Sequence, residues 1–406
     1  MPAIDTSTAP MRLVLLGTGS SAAVPDITCA TAPAGHSCET CALARKFPEG
    51  PDVRGNTGAI LRIPQPDGTE KTVLIDAGKT FREQALKYFP KLGLRKIDAC
   101  LLTHGHADAV DGLDDLRAWT IRSAIEKTIP IYTSLTTFEQ LSKAFPYFVD
   151  KAAASGGGAI PSFEWHTIKE GEPLSLFGAQ IVPIPGKSVN HGVYFSDKKR
   201  KLVCLGFLIN QDVFYLSDVS FIPESSWSIL GSYVDLPPSE AKDGPVSIGS
   251  ASSFTAKPRL QALVIDCTGL RLSKSHFGLP QSIDIPHGTS HACWLRFCQM
   301  YGRGKTVEPT GEVPWTRSGP RSIWKAWTEE AQQRAYAEIY DGFNPIVEDY
   351  KVFVERALIA IEEWDGERLD GKRPWVRPAR DGMTLAWMEG TGLGRFGRMS
   401  WDDEYH

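Results

Sequence analysis

Buried strands alternating with helical stretches place this chain in the α/β class, in a layered arrangement. Three observations carry that reading. Short apolar runs recur at 11–16, 59–63, 71–75, 97–102, 129–133, 179–186, 203–209, 213–216 and 262–267. Helix-patterned stretches lie between several of them, at 79–89, 113–122 and 135–145. Strand after strand then ends in a His or an Asp: Asp76, His104, His191, Asp218 and Asp266. Layered α/β proteins assemble their sites at strand ends. A lone His at such a place is more often a structural hydrogen-bonder than a ligand, but the recurrence points to one convergent site.

Composition bounds the rest. The chain has 406 residues with 42% hydrophobic content, enough for a sizeable core. Its 44 Lys+Arg against 48 Asp+Glu give a net charge of −4, and no basic block stands out. That argues against a nucleic-acid surface. The first ten residues lack a basic stretch and an apolar stretch, so no secretory signal is expected. No apolar run is long enough for a membrane span. The Cys usage points to a reducing, cytoplasmic setting.

Taken in order, 11–16 is a strand followed by Gly17-Thr18-Gly19-Ser20, a tight turn or, on weaker grounds, a phosphate loop. The next loop holds Cys29, His36, Cys38 and Cys41. Cys38 and Cys41 form a Cys-x-x-Cys pair, the spacing that lets one turn offer two thiolates to one zinc, with Cys29 as a third. The alternative is a loop of ordinary thiols. The strand at 71–75 ends in Asp76, which could also cap the helix at 79–89.

The strand at 97–102 ends in Thr103 and then offers His104, His106 and Asp108 at alternate positions. Two imidazoles and a carboxylate crowded at a strand end suit zinc, manganese or iron. A polar strand-to-helix loop with a capping Asp is the alternative. Residues 152–160, with three successive glycines, form a lid or a surface connection. The runs 203–209 and 213–216 read as a hairpin across Asn210-Gln211-Asp212, ending in Asp218. After 262–267 come His276, His287 and His291.

The segment 302–319 is polar and rich in Gly and Pro. Residues 323–340 and 345–364 read as two amphipathic helices.

The stretch LLTHGHADAVDGLDDLR resembles the metallo-β-lactamase superfamily, whose signature is His-x-His-x-Asp-His. Ala109 stands where that signature has its last His. The succession GTGSSAAVP, the Cys loop, SDVS and SHFGL is similar to the branch containing the phosphoribosyl cyclic phosphodiesterase. It is also similar to a eukaryotic group of hydrolase-like proteins that share Asp-Ala at this place.

The resemblance implies a four-layer αββα sandwich with a C-terminal helical elaboration. A core at 11–299 would be followed by an insertion and helices at 300–370, a final core strand within 371–390 and a mobile tail at 391–406. It implies a first metal held by His104, His106 and His191, a bridging Asp218, and a second metal held by Asp108 and His287. His276 would be the catalytic His near the leaving group. A structural zinc would take Cys29, Cys38, Cys41 and His291. Asp76 would orient the first metal loop without binding metal. The short His276–His287 spacing leaves the parts of His287 and His291 interchangeable. With Ala109 the second cation should bind more weakly, and Asp111 is the nearest substitute in sequence.

The expected activity is metal-dependent hydrolysis of a small or cyclic phosphodiester through a metal-bound hydroxide, with one or two divalent catalytic ions. Three alternatives stand beside it: hydrolysis of another ester such as a lactone or thioester, a tRNA 3′-processing type of nuclease, or a catalytically degenerate binding protein. A small-molecule substrate is the expected partner.

Overall fold

The computed structural model describes residues 10–33, 36–50, 52–153, 159–188, 202–234, 257, 258, 260, 262–267, 276, 292–297, 375–378 and 381–387. The chain order is β1 (Met11–Gly17), α1 (Ile27–Ala30), α2 (Glu39–Lys46), β2 (Gly58–Pro64), β3 (Glu70–Ile75), α3 (Phe81–Tyr88), β4 (Ala99–Leu101), α4 (Ala107–Val110) and α5 (Arg117–Thr120). It continues with β5 (Ile129–Thr133), α6 (Leu135–Ala144), β6 (Phe163–Thr167), β7 (Leu174–Leu176), β8 (Ala179–Ser188), β9 (Leu202–Ile209), β10 (Val213–Leu216) and α7 (Glu224–Tyr233). The last strands are β11 (Ala262–Cys267), β12 (Ala292–Phe297), β13 (Trp375–Pro378) and β14 (Thr384–Trp387).

Two seven-stranded sheets result, in the orders β14-β1-β2-β3-β4-β5-β6 and β13-β12-β11-β10-β9-β8-β7. Strand periodicity explains how they stack. Leu13, Leu15, Leu61, Val73, Ile75 and Leu101 of the first sheet share one cluster with Phe207, Tyr215 and Val264 of the second. Their alternates Val14, Ile60, Leu74 and Leu102 pack with Phe81, Leu113 and Leu141 on the outer side of the first sheet. Phe214, Leu216 and Ile265 pack with Leu230 of α7 on the outer side of the second. Residues of opposite parity thus face opposite layers, and the layers read helix, sheet, sheet, helix. This is the αββα metallo-β-lactamase sandwich.

Differences from the expected elements have local causes. The helix expected at 113–122 is broken. A 3₁₀ segment, Asp111–Leu116, precedes α5, and Arg122 and Ser123 follow with φ of 51° and 54°. The backbone there is bonded sideways: Ala77 N–H donates to the Ala109 carbonyl at 2.8 Å, and Gly112 N–H donates to the Ala77 carbonyl at 2.8 Å. Those groups therefore serve the β3–α3 loop and not one continuous helix.

The Asn210–Asp212 hairpin forms as expected, with Val213 opposite Ile209 and with Asn210 and Gln211 at φ of 48° and 61°. The C-terminal return at Trp375–Pro378 is β13, and β14 follows it to the edge of the other sheet beside β1. Asp381, in the turn between them, accepts Thr18 N–H at 2.7 Å and Gly55 N–H at 2.6 Å, tying this return to the loop after β1.

The 300–370 elaboration, the boundaries drawn around it and the glycine run at 156–158 lie outside the described residues. Among the described residues no helix is long and apolar enough to cross a membrane.

Candidate metal centre

The first sheet delivers three ligand candidates from one loop. Asp76 follows β3 with φ of 59°, a left-handed backbone that Asp tolerates better than most residues. Its Oδ1 accepts Thr103 N–H at 2.8 Å and its Oδ2 accepts the Thr103 hydroxyl at 2.7 Å. Thr103 Oγ1 lies 2.8 Å from His104 Nδ1. Because the hydroxyl proton goes to Asp76, the oxygen accepts from Nδ1–H, and Nε2 of His104 presents its lone pair.

His106 begins α4, its ring edge-on to His104 at 4.7 Å between centroids. Asp108 stands in the first turn of α4. One donor atom each from His104, His106 and Asp108 falls within 4.8 Å of the others. The loop is held close by Gly78, where a Cβ would lie 1.9 Å from the Asp108 carbonyl oxygen. No side chain fits there.

The second sheet brings Asp218, just past β10, also left-handed with φ of 49°. Its Oδ2 is 3.8 Å from His104 Nε2 and its Oδ1 is 3.5 Å from His276 Nδ1. Two ligands of one tetrahedral cation, each about 2.1 Å from it, stand about 3.4 Å apart. The observed spacings of 3.8 Å and up to 4.8 Å are slightly open versions of that geometry. His104 is fully buried. Burial and then the neighbouring His104 pull the His106 pKa below the usual imidazole range, toward the neutral form that coordinates. The donor set therefore fits a divalent cation.

The structure brings His104, His106, Asp108, Asp218 and His276 together, with Asp76 behind them. His191 and His287 lie outside the described residues. Ala109 is 1% exposed and packs with Ala77, Val110 and Leu113 in the outer core of the first sheet. Asp111 is exposed and stands outside the converging donor atoms. Burial raises its pKa, with Lys79 lowering it and Asp108 raising it.

The Cys loop makes a second cluster. Cys29 lies in α1, Cys38 caps α2 and Cys41 sits in its first turn; their sulfurs are within 4.8 Å of one another. None is in a disulfide. Cys38 is drawn down to about 6, chiefly by its hydrogen bond with Cys41, while that same bond and burial push Cys41 upward. Cys41 N–H donates to Cys38 Sγ at 3.3 Å, and Asp26 N–H donates to Cys41 Sγ at 3.4 Å. Three sulfurs so placed, with amide donors behind them, fit a tetrahedral zinc. His291 lies outside the described residues, and His36 is exposed.

Two contacts of the candidate site escaped the sequence reading. The Thr103 hydroxyl links Asp76 to His104, and its only signal was its place between strand and ligand. Cys204 Sγ lies 3.6 Å from His104 Nδ1, yet in sequence it reads as one more apolar strand residue.

Residues 71–236 match the family described as Beta-lactamase superfamily domain. The chain is similar in fold to the structure of a diphosphatase from the PhnP family, with a TM-score of 0.52, 21% identity, and coverage of 94% of this chain and 98% of that one. It is similar in fold to Zn(2+)-bound PqqB from Methylobacterium extorquens, with a TM-score of 0.51, 16% identity, and coverage of 92% and 99%. A Porphyromonas gingivalis (strain ATCC BAA-308 / W83) protein named octanoyltransferase is 28% identical over 214 residues, 52% of this chain. The match spans 35% of that relative's length.

Proposed function

We propose, from the match of residues 71–236 to the family described as Beta-lactamase superfamily domain, that the protein is a metal-dependent hydrolase of a small or cyclic phosphodiester. The observation that supports this most is the meeting of His104, His106 and Asp108 from one sheet with Asp218 and His276 from the other. His104, His106, Asp108 and Asp218 would hold the cation, with His191 and His287 as further ligands. When bound, zinc, manganese or iron supplies Lewis acidity, lowering the pKa of a water and offsetting charge on a phosphoryl oxygen. Asp76 and Thr103 keep His104 in the tautomer that coordinates. Asp218 faces His104 with one oxygen and His276 with the other. His276 is partly exposed beside it, which supports its reading as the group that would give a proton to the departing alkoxide.

The test separates the roles by leaving group. His106→Ala should abolish hydrolysis of bis(4-nitrophenyl) phosphate by metal-loaded protein. His276→Ala should slow alkyl phosphodiesters by about 10²–10⁴-fold and nitrophenyl ones far less, because nitrophenolate leaves without a proton. Full turnover by metal-depleted His106→Ala protein refutes the metal role. Equal loss on both substrates in His276→Ala refutes the acid role.

A second reading, hydrolysis of an acyl ester or thioester, is supported by the similarity to a protein named for octanoyl transfer. A higher kcat/KM on an acyl thioester than on any phosphodiester would favour it.

A further inference from the structure

We infer that Cys204 is a positioning residue that sets the spacing between the two sheets' contributions to the metal centre. The inference rests on the metal-dependent reading above and concerns how this chain builds that centre.

His104 belongs to the first sheet and Asp218 to the second, so their separation is only as well defined as the joint between the sheets. Beside the candidate metal loop, the joint is at Cys204–Leu205 in β9. Leu205 N–H donates to the Thr103 carbonyl at 2.9 Å, a backbone bond running from the second sheet to the first metal loop. One residue earlier, Cys204 Sγ donates to the Ser217 carbonyl at 3.0 Å, immediately before Asp218. The same sulfur lies 3.6 Å from His104 Nδ1. Cys204 therefore touches the residue before one ligand and the ring of the other.

Protons sort the contacts. Thr103 gives its proton to Asp76, and Cys204 gives its proton to Ser217. Both are left as acceptors at His104 Nδ1, Thr103 Oγ1 at 2.8 Å and Cys204 Sγ at 3.6 Å. The thiol is fully buried, and its hydrogen bond to the Ser217 carbonyl holds it as a donor on the side of the ring away from Nε2. Such a group acts through the ligands and does not compete with them for the cation. The carbonyl it holds immediately precedes Asp218, whose left-handed conformation needs support from its surroundings.

The experiment is a cobalt(II) titration of chelator-treated full-length protein, comparing wild type with Cys204→Ala, Cys204→Val and Cys204→Ser. Visible d–d bands report the geometry of the His/Asp centre. Cobalt–thiolate charge transfer at Cys29, Cys38 and Cys41 reports independently that each variant is folded. Cys204→Ala and Cys204→Val should weaken cobalt binding at the His/Asp centre by about 10–100-fold, the range for residues that orient ligands, and should shift the d–d bands. Cys204→Ser keeps a donor and an acceptor and should recover most of the affinity.

Val as tight as wild type would mean that the residue only fills space, and would overturn the inference. The Ser and Val pair decides even if Ala folds poorly. Wild-type protein that takes up no cobalt at the His/Asp centre overturns the metal reading and this inference with it. Uptake by wild type with all three variants unchanged overturns this inference alone.

Discussion

Thr103→Val is the sharpest perturbation of the first metal loop. Thr103 is fully buried, and Val nearly matches its shape. The substitution removes the 2.7 Å bond from the hydroxyl to Asp76 and the acceptor 2.8 Å from His104 Nδ1. The backbone bond from Thr103 N–H to Asp76 stays. A hydrogen bond to a charged group is worth about 1.5–3 kcal/mol, and a buried N–H deprived of its partner costs about 1–3 kcal/mol. Cys204 at 3.6 Å takes over part of the second loss. A destabilisation of about 3–4 kcal/mol follows. Thr103→Ser removes only a methyl, about 1 kcal/mol. Urea unfolding of chelator-treated protein measures both, free of any metal contribution. Metal titration of the same samples should show the Val variant weaker by about 10–100-fold. If Val and Ser variants unfold at the same urea concentration, the Asp76–Thr103–His104 chain does not support the fold as argued, and the tautomer assignment loses its basis.

Two further outcomes are expected. Cys38→Ser should release zinc and lower the melting temperature, while turnover per folded molecule changes little; a wild-type protein with no metal at these sulfurs, or with a Cys38–Cys41 disulfide under reducing conditions, would contradict the zinc reading. Glu126 accepts Ile97 N–H at 3.1 Å, and burial raises its pKa from the ordinary 4.5 to about 7. The folded state thus binds more protons between these values than the unfolded state, so this group's contribution makes stability fall as pH rises from about 4.5 to about 7. Glu126→Gln keeps an acceptor for Ile97 and should flatten that part of the stability profile; an unchanged profile would count against the buried carboxyl.

What the sequence displays follows from burial. Strands covered on both faces are apolar at nearly every position, as in β10 and β11, and such runs are visible without knowing their partners. The edge strands β6 and β7 are not. Phe163–Thr167 mixes half-buried and exposed positions, and Leu174–Leu176 is three residues long. The interruption of the helix expected at 113–122 was also hidden: its 3₁₀ start at Asp111–Leu116 adjoins a pair of backbone bonds to Ala77, thirty-odd residues away in sequence. β14 escaped for a similar reason: it is four residues long and is defined by its pairing with β1.

The site divides along the same line. His104, His106 and Asp108 were legible because one loop carries all three, so their spacing encodes their meeting. Asp218 and His276 come from distant stretches and were placed by resemblance; the structure joins Asp218 to His104 at 3.8 Å and His276 to Asp218 at 3.5 Å, contacts that no spacing states. Ala109 shows the limit most clearly. In sequence it is a missing ligand, a statement about function. In the structure its methyl is buried among Ala77, Val110 and Leu113, and the Ala109 carbonyl accepts the N–H of Ala77, one residue after Asp76. The position therefore also packs the first metal loop onto the strand end that orients it. The close approach of the Asp108 carbonyl beside it is allowed by Gly78, which has no Cβ. The loss of one donor and the gain of a buried methyl in the outer core are two consequences of the same small residue.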